Sequence, residues 1–156
     1  MLKTLDLFDR NHSLAGDYLS EFEYPWQALK GIRALIEALG PCLGEDYVET
    51  APHVWVHKTA TVAPTAYLGA PCIIGAETEV RHCAFVRGSA LVGKKCVVGN
   101  SVELKNVILF DEVQTPHYNY VGDSILGYKS HMGAGSITSN VKADKTLVMV
   151  HAGQVE

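Results

Sequence analysis

The chain has 156 residues, with 17 Asp+Glu against 13 Lys+Arg and only 8% aromatics. One domain is the default at this length. An apolar content of 47% excludes a disordered chain, a formal charge of −4 argues against a nucleic-acid surface, and no run reaches the roughly 18 apolar residues of a membrane span.

The N-terminus, Met1-Leu2-Lys3-Thr4-Leu5-Asp6, has no apolar stretch of the signal-peptide kind, so a cytoplasmic protein with reduced thiols is expected. Cys42, Cys72, Cys83 and Cys96 contain no C-x-x-C, which disfavours a zinc knuckle. The charged fraction of 19% lies below the roughly 25% of ordinary globular proteins and points to surface hidden between subunits.

Residues 1–53 hold one Val and nine Leu, whereas 54–156 hold sixteen Val and six Leu. Valine is stiff at χ1 and fits a pleated surface, so the first part reads as a helical segment and the rest as β. Residues 3–22 carry apolar positions without a clean period and predict short helices or turns. Pro25 suits a first helical turn, and Trp26, Leu29, Ile32, Leu35, Ile36 and Leu39 follow at spacings of three or four. Gly40-Pro41 stops this helix. Its apolar face requires a cover, most simply the β part, with Trp26 and Trp55 at the junction.

The β part is periodic. From Val56, steps of six give Val62, Leu68, Ile74, Val80, Val86, Val92, Val98 and Leu104, all aliphatic. Four residues after each stands a mostly small residue, including Cys72 and Cys96. Gly follows the aliphatic at 69, 75, 93 and 99, where it is expected to take tight turns. Six residues fit one short strand plus one turn, so three hexads close a triangular coil, and coils stack at about 4.8 Å. A narrow prism filled by Val, Ile and Ala explains the few aromatics. Dividing by 18 gives about four to five coils. After Leu104 the hexads falter. The polar stretch 111–120 reads as an insertion in the scaffold, which is where function usually sits.

This pattern resembles the left-handed parallel β-helix of hexapeptide-repeat acyltransferases, and the handedness comes from that resemblance alone. Val102-Glu103-Leu104-Lys105, then Pro116-His117-Tyr118-Asn119-Tyr120-Val121-Gly122-Asp123, then Met132-Gly133-Ala134-Gly135-Ser136-Ile137-Thr138-Ser139-Asn140, resemble in order the acetyltransferase domain of the bifunctional enzymes that make UDP-N-acetylglucosamine. The fold implied is mainly β, a left-handed β-helix over 54–156 with a helical segment over 1–53. Residues 1–53 do not carry the Gly-rich nucleotide loop of the uridyltransferase domain. The related domain runs on for several coils, whereas this sequence stops mid-repeat, so a short or truncated β-helix is expected.

The resemblance implies acyl transfer from acetyl-CoA to an amino group on a phosphorylated or nucleotide-linked sugar, in a homotrimer. His117 matches the general base, since a neutral imidazole can take the proton of an attacking amine. Arg87 and Lys105 match the cations that hold the sugar phosphate, and Tyr120 matches a phosphate or sugar contact. Ala134 with Gly135 matches the acetyl-CoA side and Asn140 the acceptor side, with backbone N–H groups at 133–135 expected to meet an oxyanion. Lys145 matches a further acceptor-binding lysine across a shorter loop. His131 stands where the pattern has Asn. Hexapeptide-repeat carbonic anhydrases bind zinc through three histidines, but the position five after His117 is Gly122, so no metal is expected. The other reading is a non-catalytic β-helix module that binds a sugar nucleotide or serves trimer assembly.

Overall fold

The computed structural model describes residues 3–139 and 141–149. Its main body is a left-handed parallel β-helix of about 4 turns. The first face is built from strands β2 (Val54–His57), β3 (Cys72–Ile74) and β4 (Ala90–Val92), then from 107–109 and 124–126. The second face takes Thr61–Val62, Glu79–Val80, Val97–Asn100 and Gln114–His117. The third takes Tyr67–Leu68, Phe85–Val86, 103–105 and 120–122. Each face pairs in parallel, coil upon coil. The antiparallel strand β1 (Tyr47–Ala51) lies beside β2 and covers the exposed edge of the first coil.

The hexad aliphatics point inward as expected. Ile74, Val80, Val86, Val92, Val98 and Leu104 are buried, while Val56, Val62 and Leu68 of the first coil are half-buried. Cys72 and Cys96 are buried core thiols. Burial raises both thiol pKa values to about 12, because an apolar interior disfavours the thiolate.

Two expectations require correction. The left-handed corners are taken mostly by residues other than glycine: Glu77, Lys95, Glu112 and Lys129 at one corner, Cys83, Ser101 and Tyr118 at the next, and Ser89, Asn106 and Asp123 at the third. The glycines after the aliphatics serve close coil contact instead. A Cβ on Gly99 would overlap the Pro116 carbonyl, and one on Gly75 would overlap that of Gly93.

The polar stretch is also no insertion. The pairing offset falls from 18 residues (Cys72 on Ala90) to 17 (Ala90 on Val107, Val97 on Gln114), so the coil loses one residue. The corner made by Gly88-Ser89 shrinks to Asn106, and the chain runs as one strand over Glu103–Leu109, and again over Tyr120–Leu126. Thr115 fills the inward slot above Val98 and donates its hydroxyl to the Val97 carbonyl at 3.1 Å, which supplies the polar atom's partner inside the core.

The helical segment comprises Thr4–Leu7, Gly16–Ser20 and Ile32–Leu39, with a 3₁₀ turn over Pro25–Gly31 as the first half of the expected long helix. It lies along the first face and shares one core with it. The outward column of that face, Trp55, Ile73, Leu91 and Ile108, is therefore apolar and buried, against Leu19, Ala28, Ile32 and Ile36 from the segment. Each such aliphatic contributes about 1.5–3 kcal/mol. Gly40 meets the Trp55 ring so closely that a Cβ would overlap it. Trp55 is thus a junction residue as expected, whereas Trp26 is 40% exposed.

Candidate functional site

The outer surface of the third face carries the cationic group. A strand alternates its side chains, so Arg87 and Lys105, 18 residues and one coil apart, point outward in one column. Arg87 donates to Glu103 at 2.8 Å, and this hydrogen bond raises its already high pKa. Lys105 pairs with Asp123 at 3.0 Å. Tyr120 is one coil above Glu103, and its ring lies over Gly122, where a Cβ would overlap the phenol. That bare glycine lets the phenol reach the cationic column. Arg87, Lys105, Arg33, Ser89, Asn106 and Asp123 line an open cleft of about 400 Å³. Arg33 itself pairs with Glu37 at 2.8 Å.

The cleft sits at the shortened corner. Asn106 donates from Nδ2 to the Leu29 carbonyl at 3.2 Å and to Asp123 at 2.8 Å. The residue that tightens the coil thus also ties the helical segment to the wall of the cleft.

His117 ends a strand of the second face and its side chain is exposed. It stands before the corner at Tyr118, on the second face, whereas Arg87, Lys105 and Tyr120 lie on the third. Asn119 is the residue that the sequence reading left among loop polar groups. It is 2% exposed and occupies an inward slot. Its Oδ1 accepts the His117 N–H at 3.2 Å, and its Nδ2 donates to the carbonyls of Gly133 at 2.8 Å and Ser136 at 3.3 Å. A buried, fully used amide thereby clamps the His117 corner to the next coil. The signal was present as an Asn in a repeat slot otherwise held by Ala66, Ala84 and Val102.

Ala134 is exposed one coil above His117, and Gly135 takes the left-handed corner at φ 74° with open space beside it. Such bare backbone fits the approach of a large ligand. The Gly135 N–H is, however, committed to the His117 carbonyl at 3.0 Å, which removes it from the expected oxyanion donors. His131 bridges Gln114 on the second face and is exposed. Lys145 is exposed and lines a second cavity with Lys142 and Trp26, away from His117. Asn140 lies outside the described residues. Among the described residues no group of three His, Cys, Asp or Glu is gathered, and no helix is long and apolar enough to cross a membrane.

The chain is 30% identical over 138 residues to the bifunctional protein GlmU of Methanococcus maripaludis, a match covering 86% of this chain and 33% of that protein. It is 33% identical over 123 residues to the bifunctional protein GlmU of Paracoccus denitrificans, covering 74% of this chain and 27% of that protein. It thus spans about a third of the length of these relatives or less. The fold is similar to the acetyltransferase domain of PglB from Neisseria gonorrhoeae, with a TM-score of 0.55 and 20% identity over 68% of this chain and 50% of that chain. No protein-family model matches the chain. The resemblance to hexapeptide-repeat acetyltransferases is therefore shared by sequence and fold.

Proposed function

We propose that the chain transfers an acyl group from acetyl-CoA to the amino group of a phosphorylated or nucleotide-linked sugar, as a cytoplasmic homotrimer. The observation that carries this reading is the grouping of Arg87, Lys105 and Tyr120 on one outer face, where the two cations line one open cleft and the phenol lies over Gly122 in the next coil. A guanidinium and an ammonium in one column suit a phosphate, to which Arg offers paired donors and Lys a point charge. Both cations are paired with carboxylates, but partly exposed ion pairs are weak and exchange readily for a phosphate. The relatives named for GlmU support amino-sugar chemistry.

In this reading the donor brings an activated thioester. His117 takes the proton released as the amine nitrogen forms its bond to the thioester carbon, and returns it to the departing sulfur. Ala134 and Gly135 offer bare backbone beside it. The placement of His117 and Lys105 on different faces of one chain supports a site completed between neighbouring chains.

One observation favours the second reading, a non-catalytic module binding a sugar nucleotide or serving assembly: the Gly135 N–H is occupied and no hydrogen bond to the His117 ring is present among the described residues. The test is to incubate the protein with acetyl-CoA and glucosamine 1-phosphate and follow free thiol. Thiol release that His117→Ala abolishes supports the enzyme. Absent release with sugar-phosphate binding retained supports the module. Sedimentation as a monomer would sink both.

A further inference from the structure

We infer that Trp26 of the helical segment, backed by Tyr24, is a nucleobase platform, so that the cleft at Arg87 and Lys105 takes a nucleoside diphosphate-linked acceptor rather than a bare sugar phosphate. The inference rests on the phosphate role given above to that cleft.

An indole is among the costliest side chains to leave in water, yet Trp26 is 40% exposed. It is also held rigidly. Its ring stacks on Tyr24 with centroids 4.7 Å apart and planes 8° from parallel. Between them Pro25 fixes the backbone, and the Tyr24 N–H is anchored on the Gln27 side chain at 2.9 Å. The stack covers one face of the indole, and two cavities have Trp26 in their walls. One, of about 160 Å³, is shared with Phe8 and Ile125. The other, of about 540 Å³, is shared with Lys142 and Lys145 and is of the size that holds small ligands.

Both cavities have Asp123 in their walls, and Asp123 also lines the Arg87–Lys105 cleft. The three hollows therefore meet at Asp123, beside the shortened corner. Chemistry changes across them in the order of a nucleotide: cations for phosphate, a carboxylate, then an aromatic face. Asp123 is offset by Lys105 at 3.0 Å and Asn106 at 2.8 Å, so its charge does not repel the phosphate outright. Lys142 is paired with Asp144 at 3.8 Å, and it lines the Trp26 cavity together with Lys145.

The probes are uridine diphosphate and guanosine diphosphate, with inorganic pyrophosphate as the control without a base. Stacking tolerates any base, so both nucleotides are expected to bind about 10- to 100-fold tighter than pyrophosphate. Trp26→Ala is expected to erase that preference while leaving pyrophosphate binding unchanged. Quenching of the indole fluorescence by uridine diphosphate is expected in the parent protein, and its loss in Trp26→Ala, where the buried Trp55 reports that the fold is intact. Equal binding of all three probes, or a preference that survives Trp26→Ala, overturns this inference alone. Absence of binding by all three, or pyrophosphate binding indifferent to Arg87→Ala, overturns the phosphate role of the cleft itself.

Discussion

Arg87 Nη1 lies 2.8 Å from Glu103 Oε1, 16 residues along the chain and one coil away on the third face. The guanidinium proposed to hold phosphate is thus kept in place by a resident carboxylate. A phosphate must compete with Glu103, and the competition is winnable because the pair is partly exposed. Glu103→Gln is expected to tighten glucosamine 1-phosphate about 2- to 5-fold, and Arg87→Ala to weaken it, with the difference shrinking at high salt. Calorimetric titration measures both. If neither substitution changes affinity, the phosphate does not use this column.

Asn119 satisfies three backbone groups from a buried position. Asn119→Ala removes the donors to the Gly133 and Ser136 carbonyls and the acceptor of the His117 N–H, and is expected to cost about 1–3 kcal/mol. Asn119→Asp keeps the acceptor for the His117 N–H, loses both donors, and is expected to be no better. A urea midpoint for each variant decides the matter. Parent-like stability in Asn119→Ala would mean that the clamp is dispensable.

Gly40 ends the last α-helix directly on the Trp55 ring. A methyl there must push the indole off its seat, so Gly40→Ala is expected to cost about 1–3 kcal/mol despite its better helix propensity. The contrast with Ala38→Gly, an exposed site where about 1 kcal/mol is lost from propensity alone, separates packing from propensity.

Cys42 and Cys83 are exposed, whereas Cys72 and Cys96 are buried. Two thiols are expected to react with a thiol reagent in the native protein at pH 8 and all four after unfolding. Because the folded chain holds the buried thiols neutral up to about 12, against an ordinary value of 9.0, it binds protons there that the unfolded chain has released. Stability from this source is full below about 9 and falls as pH rises towards 12. The alkaline decline in melting temperature is expected to be shallower in Cys72→Ala. Rapid native reaction of four thiols would contradict the burial.

The prism was legible because its rule is simple: nine aliphatics at steps of six all face inward. The same rule concealed the shortened coils. Thr115 holds an aliphatic slot with a hydroxyl that finds its partner on the backbone, and Asn119 holds a small slot with an amide that finds three. A polar residue whose bonds are satisfied inside looks, in sequence, like a loop residue. The glycines misled in the opposite way, since a residue without Cβ serves close approach as well as unusual φ, and only coordinates separate the two uses. Among the site residues, Arg87 and Lys105 come together because the coil repeat stacks them, and Tyr120, stacked on Glu103 in the neighbouring column, joins them by lying over Gly122. The ion pairs that occupy the two cations depend on which outward columns are adjacent, a matter of three dimensions rather than of period.

A triangular coil has three near-equivalent faces, and nothing in a six-residue rule tells them apart. The helical segment does. By lying over Trp55, Ile73, Leu91 and Ile108 it removes one face from circulation and leaves two with outward residues that are largely polar or exposed. The prism thereby acquires a back and a front. The homotrimer proposed above therefore has only the front to assemble on. Without the segment, the same coils would present an apolar stripe along their length, the geometry that favours unlimited side-by-side association.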